Sequence, residues 1–427
     1  MKLHWQILVA LVLAVVAGLS GSPDSTVLGV EIMVVYDFLG TLFMNALKML
    51  IVPLIVSSII TGVAGMGNGE AMGRLGWKTL LYYLSTSLLA ILTGLLLVNL
   101  MSPGIVDGTP VGELVQLSDT DTHALADRVE GRGGGDLAAI FIRMIPPNIV
   151  RAAADGQMLG LIFFSLLFGY FMTRIDGDQA GILSGFWQGM FNVMMKMTDW
   201  VMLFAPVGVF ALVAGVVTGA GLTIFGPLLL FFVTVLLALS VHLFVSLPLL
   251  LRLLAGVDPR RHFRAMTPAL LTAFSTASSS ATLPITMDCV ERRAGVSNRT
   301  SSFVLPLGAT VNMDGTALYE CVAALFIAQA YGLELSFATQ FTVVLIALLT
   351  SIGVAGIPAA SLVAITIILG AIGLPLEAVG LILAVDRILD MCRTSVNIFS
   401  DSCGAVVIAR LEGEQGMLAD GDPQSAS

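Results

Sequence analysis

The chain has 427 residues, of which 57% are apolar and only 11% charged, against roughly 25% charged in a soluble domain. Its net charge of −9 gathers in one loop and in the last residues, and no basic patch interleaved with aromatics exists, which sets nucleic acid aside as a partner. Cys289, Cys321, Cys392 and Cys403 lie in apolar surroundings without CxxC or Cys/His spacing, so neither a disulfide framework nor a zinc site is expected.

Apolar runs long enough to cross hydrocarbon, about 20 residues each, recur from Trp5 to Arg410. The first, Trp5 to Leu19, follows Lys2 as a signal peptide would, but it lacks a convincing cleavage site and reads as a retained first helix. Spans are expected at 5–22, 33–66, 76–102, 138–175, 181–219 and 222–254. The linker 103–137 is Gly-rich and acidic, with Asp107, Glu113, Asp119 and Asp121 in it, and reads as an outside loop. Arg74 and Lys78 follow the second span, and Arg252, Arg260, Arg261 and Arg264 follow the sixth. By the positive-inside rule these clusters face the cytoplasm, with the N-terminus inside and the acidic loop opposite.

From 259 to 411 the chain is too polar for ordinary lipid-facing helices. Two similar units follow one another there, each a short apolar segment, a small-residue break, a returning segment and a helix with a polar interruption. The breaks are Ser275–Pro284 and Ser351–Pro358, and the interruptions are Asn312–Thr316 and Asp386–Asp401. Backbone groups left unpaired against lipid cost several kcal/mol each, so such segments must line a protein cavity. Corresponding interruptions in two halves point to a transporter site near the membrane midplane.

In the last helix Asp386, Asp390, Arg393, Thr394, Asn397 and Asp401 stand at spacings of 4, 3, 1, 3 and 4. At about 100° per residue they fall within an arc of roughly 100°. The bland reading is a structural ion pair, but one Asp–Arg pair suffices for packing, and charges inside a membrane default to function. The Arg393 fork suits a substrate carboxylate, and Asp390, one turn earlier, suits an ammonium. Together they describe a zwitterion with an extra acid. Asn312–Thr316 adds an amide, a carboxylate and a hydroxyl where Gly308 and Gly315 loosen a helix, oxygen donors of the kind a hard cation prefers. Asp314 and Asp401 supply the charge. A solvent turn at Asp-Gly is the plainer reading, opposed by the apolar runs Phe303–Val311 and Ala317–Ala330. Ser278, Ser279 and Ser280 lack a GxSxG elbow or a neighbouring His. They fit backbone N–H groups offered to an anion at a half-helix N-terminus.

These residues resemble the dicarboxylate/amino acid:cation symporter family, which includes archaeal aspartate transporters and animal excitatory amino acid transporters. The matches are Lys48–Gly62 (KMLIVPLIVSSIITG), Tyr82–Ser87 (YYLSTS), Thr276–Pro284 (TASSSATLP), Asn312–Glu320 (NMDGTALYE), Ser351–Pro358 (SIGVAGIP) and Asp386–Asp401 (DRILDMCRTSVNIFSD). The resemblance implies an all-α membrane protein of eight transmembrane helices and two re-entrant helical hairpins with inverted repeats, a carrier rather than an enzyme. It implies scaffold helices at 1–75 and 138–220, a transport domain at 76–102 and 221–411, the acidic extracellular loop 103–137 and a cytoplasmic tail 412–427. A homotrimer in the plasma membrane, or the inner membrane of a Gram-negative bacterium, with both termini cytoplasmic, is also implied, working as an elevator.

Carried over by position, substrate contacts fall on Ala277, Ser278, Ser279, Thr316, Ile357, Ser361, Asp390, Arg393, Thr394 and Asn397. Three Na⁺ sites carry over likewise, with no cofactor besides. One uses Gly308, Asn312, Asn397 and Asp401; a second uses Thr310, Ser351, Ile352 and Val354; the third uses Tyr83, Thr86, Ser87, Asn312 and Asp314. Proton-coupled relatives commonly have Asn where Asp401 stands, which favours sodium. Glu320 matches the proton-carrying glutamate of animal members. Two family arginines are missing, at Ala277 and Met391, and Arg387, one turn before Asp390, is expected to compensate for its charge. The alternative substrate is a C4-dicarboxylate, against which Asp390 argues because such a substrate has no ammonium. Arg393 argues against a neutral amino acid exchanger, and a passive channel would fail to support uphill uptake.

Overall fold

The computed structural model describes residues 3–22, 25–27, 29–64, 70–106, 108–114, 142, 144–154, 158–221, 225–351 and 360–418. Helices dominate it: α1 Leu3–Ser20, α2 Ile32–Ala64, α3 Glu70–Met101, the short α4 Val111–Leu114 and α5 Ile149–Ala154, then α6 Met158–Met172, α7 Gly177–Met202, α8 Ala205–Ala220 and α9 Phe225–Val241. α9 continues through the π-helical turns His242–Ser246 and Leu251–Ala255. There follow α10 Pro259–Thr276, α11 Ser279–Asp288, α12 Asn298–Val311, α13 Asp314–Ala330, α14 Phe337–Ser351, α15 Ala360–Ile372 and α16 Leu383–Leu411. Two antiparallel ribbons, Thr26–Val27 with Val30–Glu31 and Ile105–Val106 with Thr109–Pro110, are the strands among the described residues.

The expected spans 5–22, 33–66, 76–102 and 222–254 are largely helical over their described residues, 138–175 holds the non-helical stretch 145–148 before α5 and α6, and one span is corrected in shape. The stretch 181–219 is not one rod but α7 and α8, bent by 54° at Leu203–Phe204. Pro206 at the start of α8 explains the bend, because it lacks an N–H to continue the helix from α7. Arg74–Met101, Phe225–Ala255 and Asn298–Ala330 are each long and apolar enough to cross a membrane. The outer faces of the first two carry Leu96, Leu100, Leu237 and Leu253 in the open, as lipid-facing helices do, while the apolar window of the third is wholly buried.

Much of the region 259–411 lies inside, although Leu271, Phe274, Phe337 and Ile388 are exposed. Every residue of α13 except Gln329 is buried, and α13 packs against α3, α14, α15 and α16. α1 packs on α8, and α2 on α6, α7 and α8. The expected break after Ser275 is real: α10 ends at Thr276, Ala277 takes a left-handed φ of 50°, and Ser278 caps α11 by accepting from the Ala281 N–H at 3.2 Å. The break at Asn312–Met313 is also real, with φ/ψ of −107°/87° and −117°/60° between α12 and α13. The polar interruption at Asp386–Asp401 is different. It breaks no helix, since α16 runs unbroken through all of it.

Beyond α16, residues 412–418 fold back across the ends of several helices. Glu412 meets Lys78 at 2.6 Å and Arg74 at 3.0 Å. Glu414 accepts from the Ser297 hydroxyl and N–H and from the Thr300 hydroxyl. Leu418 donates its N–H to the Ala294 carbonyl and accepts from Arg261. Arg74, Lys78 and Arg261, which the sequence assigns to one membrane face, thus sit at one end of the bundle.

Candidate functional site

α16 sets out the first half of the site. Asp386, Asp390, Arg393, Thr394, Asn397 and Asp401 are all buried, as one helical arc predicts. Arg393 donates through Nη2 to Asp390 Oδ1 at 2.9 Å and Asp386 Oδ1 at 3.2 Å. Its guanidinium lies 3.8 Å from the centre of the Tyr319 ring, a cation–π contact in a desolvated place. Arg387 Nη1 reaches Asp390 Oδ2 at 3.3 Å. Two arginines and two aspartates therefore balance. Arg393 Nε and Nη1 have no hydrogen-bond partner among the described residues, although both are buried. Buried unpaired donors on a cation are costly, and an anion satisfies them.

The opened helix between α12 and α13 supplies the second half. Asn397 accepts from the Gly315 N–H at 2.8 Å and donates to the Thr316 hydroxyl at 3.1 Å, which seats the N-terminus of α13 on α16. Gly315 is needed there, because a Cβ would stand 2.7 Å from the Arg393 carbonyl oxygen. Asp314 receives the Ser87 hydroxyl at 2.7 Å and the Thr86 hydroxyl at 3.3 Å on Oδ1. Asn312 turns its amide nitrogen to Asp401 Oδ1 at 2.9 Å and its oxygen to the Thr86 hydroxyl at 3.3 Å. Thr86 Oγ1 also lies 3.1 Å from the Tyr83 carbonyl, so its one hydrogen serves one of three nearby acceptors. Gly308 lets Asp401 and Tyr83 approach, since a Cβ would meet Asp401 Oδ1 at 2.5 Å. Tyr83, Thr86, Ser87, Gly308, Asn312, Asp314 and Asp401 thus come together as one buried oxygen-rich cluster. Such a donor set suits a hard cation.

The first break follows α10, which packs along α16. His262 meets Ser402 at 2.9 Å and Ser395 meets the Leu270 carbonyl at 3.3 Å, so α10 runs antiparallel to α16. Ala277 and Ser278 form the break beyond the end of α10. Ser279, at the start of α11, is buried beside them in sequence. Thr310 and Ser351 turn their hydroxyls to the Leu307 and Leu348 carbonyls of their own helices. Ser361 is buried, with no partner for its hydroxyl among the described residues. Ile352, Val354 and Ile357 lie outside the described residues. Glu320 is fully buried and accepts from the Thr350 hydroxyl at 2.8 Å, which ties the end of α14 to α13.

Sequence reasoning missed three participants. Tyr319 carries the ring beneath Arg393 and reads in sequence as one more apolar residue. Ser400 donates to Asp314 Oδ2 at 2.6 Å, and His242 Nε2 meets the same oxygen at 3.0 Å. A lone histidine within a long apolar run was the available signal for His242. Ser400 had only its place beside Asp401.

The chain matches the sodium:dicarboxylate symporter family over residues 3–411. A proton/sodium-glutamate symport protein of Bacillus caldotenax is 34% identical over 414 residues, covering 96% of this chain and 95% of that protein. The proton/glutamate-aspartate symporter of Escherichia coli (strain K12) is 35% identical over 416 residues, with 96% and 93% covered. Excitatory amino acid transporter 3 of Mus musculus is 36% identical over 452 residues, with 96% and 86% covered. These are transporters, not enzymes, and they agree with the resemblance carried by the motifs. A multi-pass chain with a buried charge tetrad beside an oxygen-lined helix break, matched over nearly its whole length, belongs to the sodium:dicarboxylate symporter family.

Proposed function

We propose that the chain is a sodium-coupled symporter that carries L-aspartate, L-glutamate or both inward across the plasma membrane. The observation that carries this reading is Arg393, buried with two donors unpaired among the described residues, beside Asp390 and close to the start of α13. A substrate carboxylate fits Arg393 and the substrate ammonium fits Asp390, while the tip at Ala277–Ser279, Thr316, Thr394, Asn397 and Ser361 surround the remainder. Donors among the described residues support two sodium sites, around Asp314 and Asp401, and the site at Thr310, Ser351, Ile352 and Val354 rests on the resemblance. Glu320, with one carboxylate oxygen lacking a partner among the described residues, is the group proposed to carry a proton.

The packing supports a division into a fixed body of α1, α2 and α5–α8 and a moving body of α3 and α9–α16, with hairpins α10–α11 and α14–α15 re-entrant and closing the site as an elevator. Tying the two bodies covalently should preserve binding and arrest uptake. A homotrimer is supported by α7. Gly181, Gly185 and Gly189 have open space where a Cβ would be, and the exposed Gln188, Asn192, Lys196 and Asp199 share that side. Small and polar residues of this kind face other helices rather than lipid. The mass of the solubilised particle, three chains against one, tests this. Arg74, Lys78 and Arg261 gathered at one end support cytoplasmic termini.

If three Na⁺ accompany one acid of charge −1, two net charges move inward, worth about 4.6 kcal/mol at 100 mV. Tenfold sodium gradients add roughly 1.4 kcal/mol per ion, for a total near 9 kcal/mol and on the order of a millionfold accumulation. The deciding experiment is uptake of labelled L-aspartate into proteoliposomes with Na⁺, K⁺ and pH gradients varied separately and succinate as competitor. Uphill, sodium-dependent uptake resistant to succinate is expected. Uptake that ignores sodium, or that succinate abolishes, overturns the reading.

A further inference from the structure

The carboxylate of Asp314 is divided between two sets of partners. Oδ1 faces Thr86 and Ser87 on α3, while Oδ2 is held by Ser400 of α16 at 2.6 Å and His242 of the α9 extension at 3.0 Å. Ser400 and His242 are both wholly buried. We propose that Ser400 and His242 are positioning residues of the buried cation site, pinning the far oxygen of Asp314 so that its near oxygen faces the ion. The inference rests on the reading of the Asn312–Asp314 cluster as a sodium site.

Hydrogen-bond accounting makes their roles specific. A carboxylate swings broadly about its terminal torsion, so donors on one oxygen set where the other points. A hydroxyl has one hydrogen, and Ser400 gives it to Asp314 while accepting from Asn312 Nδ2 at 3.0 Å. That second bond, with the one from Nδ2 to Asp401, uses both amide hydrogens and fixes the Asn312 oxygen toward Thr86. One serine thereby orients two of the proposed ligands. His242 opens a π-helical turn, a feature common at functional positions. Its Nδ1 has no partner among the described residues, so the ring's single polar contact is with Asp314. As an Nε2–H donor it does not ligate a cation. Both residues stand behind the ligand rather than in the site, as the outer partners of ligating carboxylates do.

The test is equilibrium binding of radioactive sodium to the purified full chain without substrate, for the wild type and for Ser400→Ala, His242→Leu and His242→Gln. Half-saturation should move to about tenfold or more higher sodium in Ser400→Ala and His242→Leu. His242→Gln should recover most of the loss, because its amide N–H takes the place of Nε2–H. The accompanying deficit in L-aspartate affinity should shrink as sodium is raised, which general damage to the fold would not allow. Unchanged sodium half-saturation in monodisperse Ser400→Ala and His242→Leu overturns the proposal, as does a His242→Gln no better than His242→Leu. Should Ser400→Ala fail to fold, the two His242 variants decide alone. A wild type that binds no sodium refutes the site reading itself, a separate failure.

Discussion

Arg393 is the residue on which recognition turns. It is wholly buried, shared between Asp386 and Asp390, stacked on Tyr319, and still has two donors unpaired among the described residues. Removing one member of a buried, hydrogen-bonded charge pair costs about 2–5 kcal/mol. Arg393→Ala is accordingly expected to weaken binding of L-aspartate by at least about 30-fold, measured calorimetrically at saturating sodium, the lower bound of that range. Arg387 touches only the other oxygen of Asp390, at 3.3 Å and with part of its side chain open. Arg387→Ala should have a smaller effect, on the order of tenfold, because it removes one longer ion pair. Unaltered transport kinetics in Arg387→Ala would show that this arginine does not make up for the absent ones at Ala277 and Met391.

At the scale of elements, the two polar stretches that look alike in sequence fold differently, and the difference has a physical cause. In α16 the polar side chains project from one face to each other and to α12–α13, while the backbone ladder runs on undisturbed. Between α12 and α13 the helix opens, and the Gly315 N–H turns outward to Asn397. Placing a Cβ on Gly315, 2.7 Å from a backbone oxygen of α16, is expected to destabilise the protein by about 1–3 kcal/mol. A fall in the thermal midpoint of Gly315→Ala, with weakened substrate binding, checks this. The arc on α16, the break at Asn312 and the break after Ser275 were legible because each leaves a local mark: a spacing, a glycine, a run of serines. The bend at Leu203–Phe204 was marked by Pro206 and overlooked within a long apolar run. Tyr319, Ser400 and His242 were not legible, since their partners lie far away in the chain. Ile352, Val354 and Ile357 lie outside the described residues and stand as proposals from resemblance.

For the molecule as a whole, residues 412–418 matter more than their acidic composition foretold. Lys78 above all, and then Arg74, holds the Glu412 carboxyl below its ordinary pKa of 4.5. Arg74 is mostly open to solvent, so its pair contributes little. Glu414 loses hydration, which raises its pKa, but the bonds from Ser297 and Thr300 together outweigh this and lower it. Both folded values are depressed, so the stabilisation is fully present above pH 4.5 and is lost as pH falls through the folded values. Glu414→Gln should lower stability by about 1–2 kcal/mol near neutrality, discounted for partial exposure. The gap from the wild type should close in melting curves recorded toward pH 3. This fold-back also governs the order of events during synthesis. Lys78 and Glu412 are 334 positions apart, so this end of α3 is fastened only after Glu412 has left the ribosome. A nascent chain halted short of Glu412 therefore carries an unbuckled bundle, open to quality-control proteases at the end where Arg74, Lys78 and Arg261 gather.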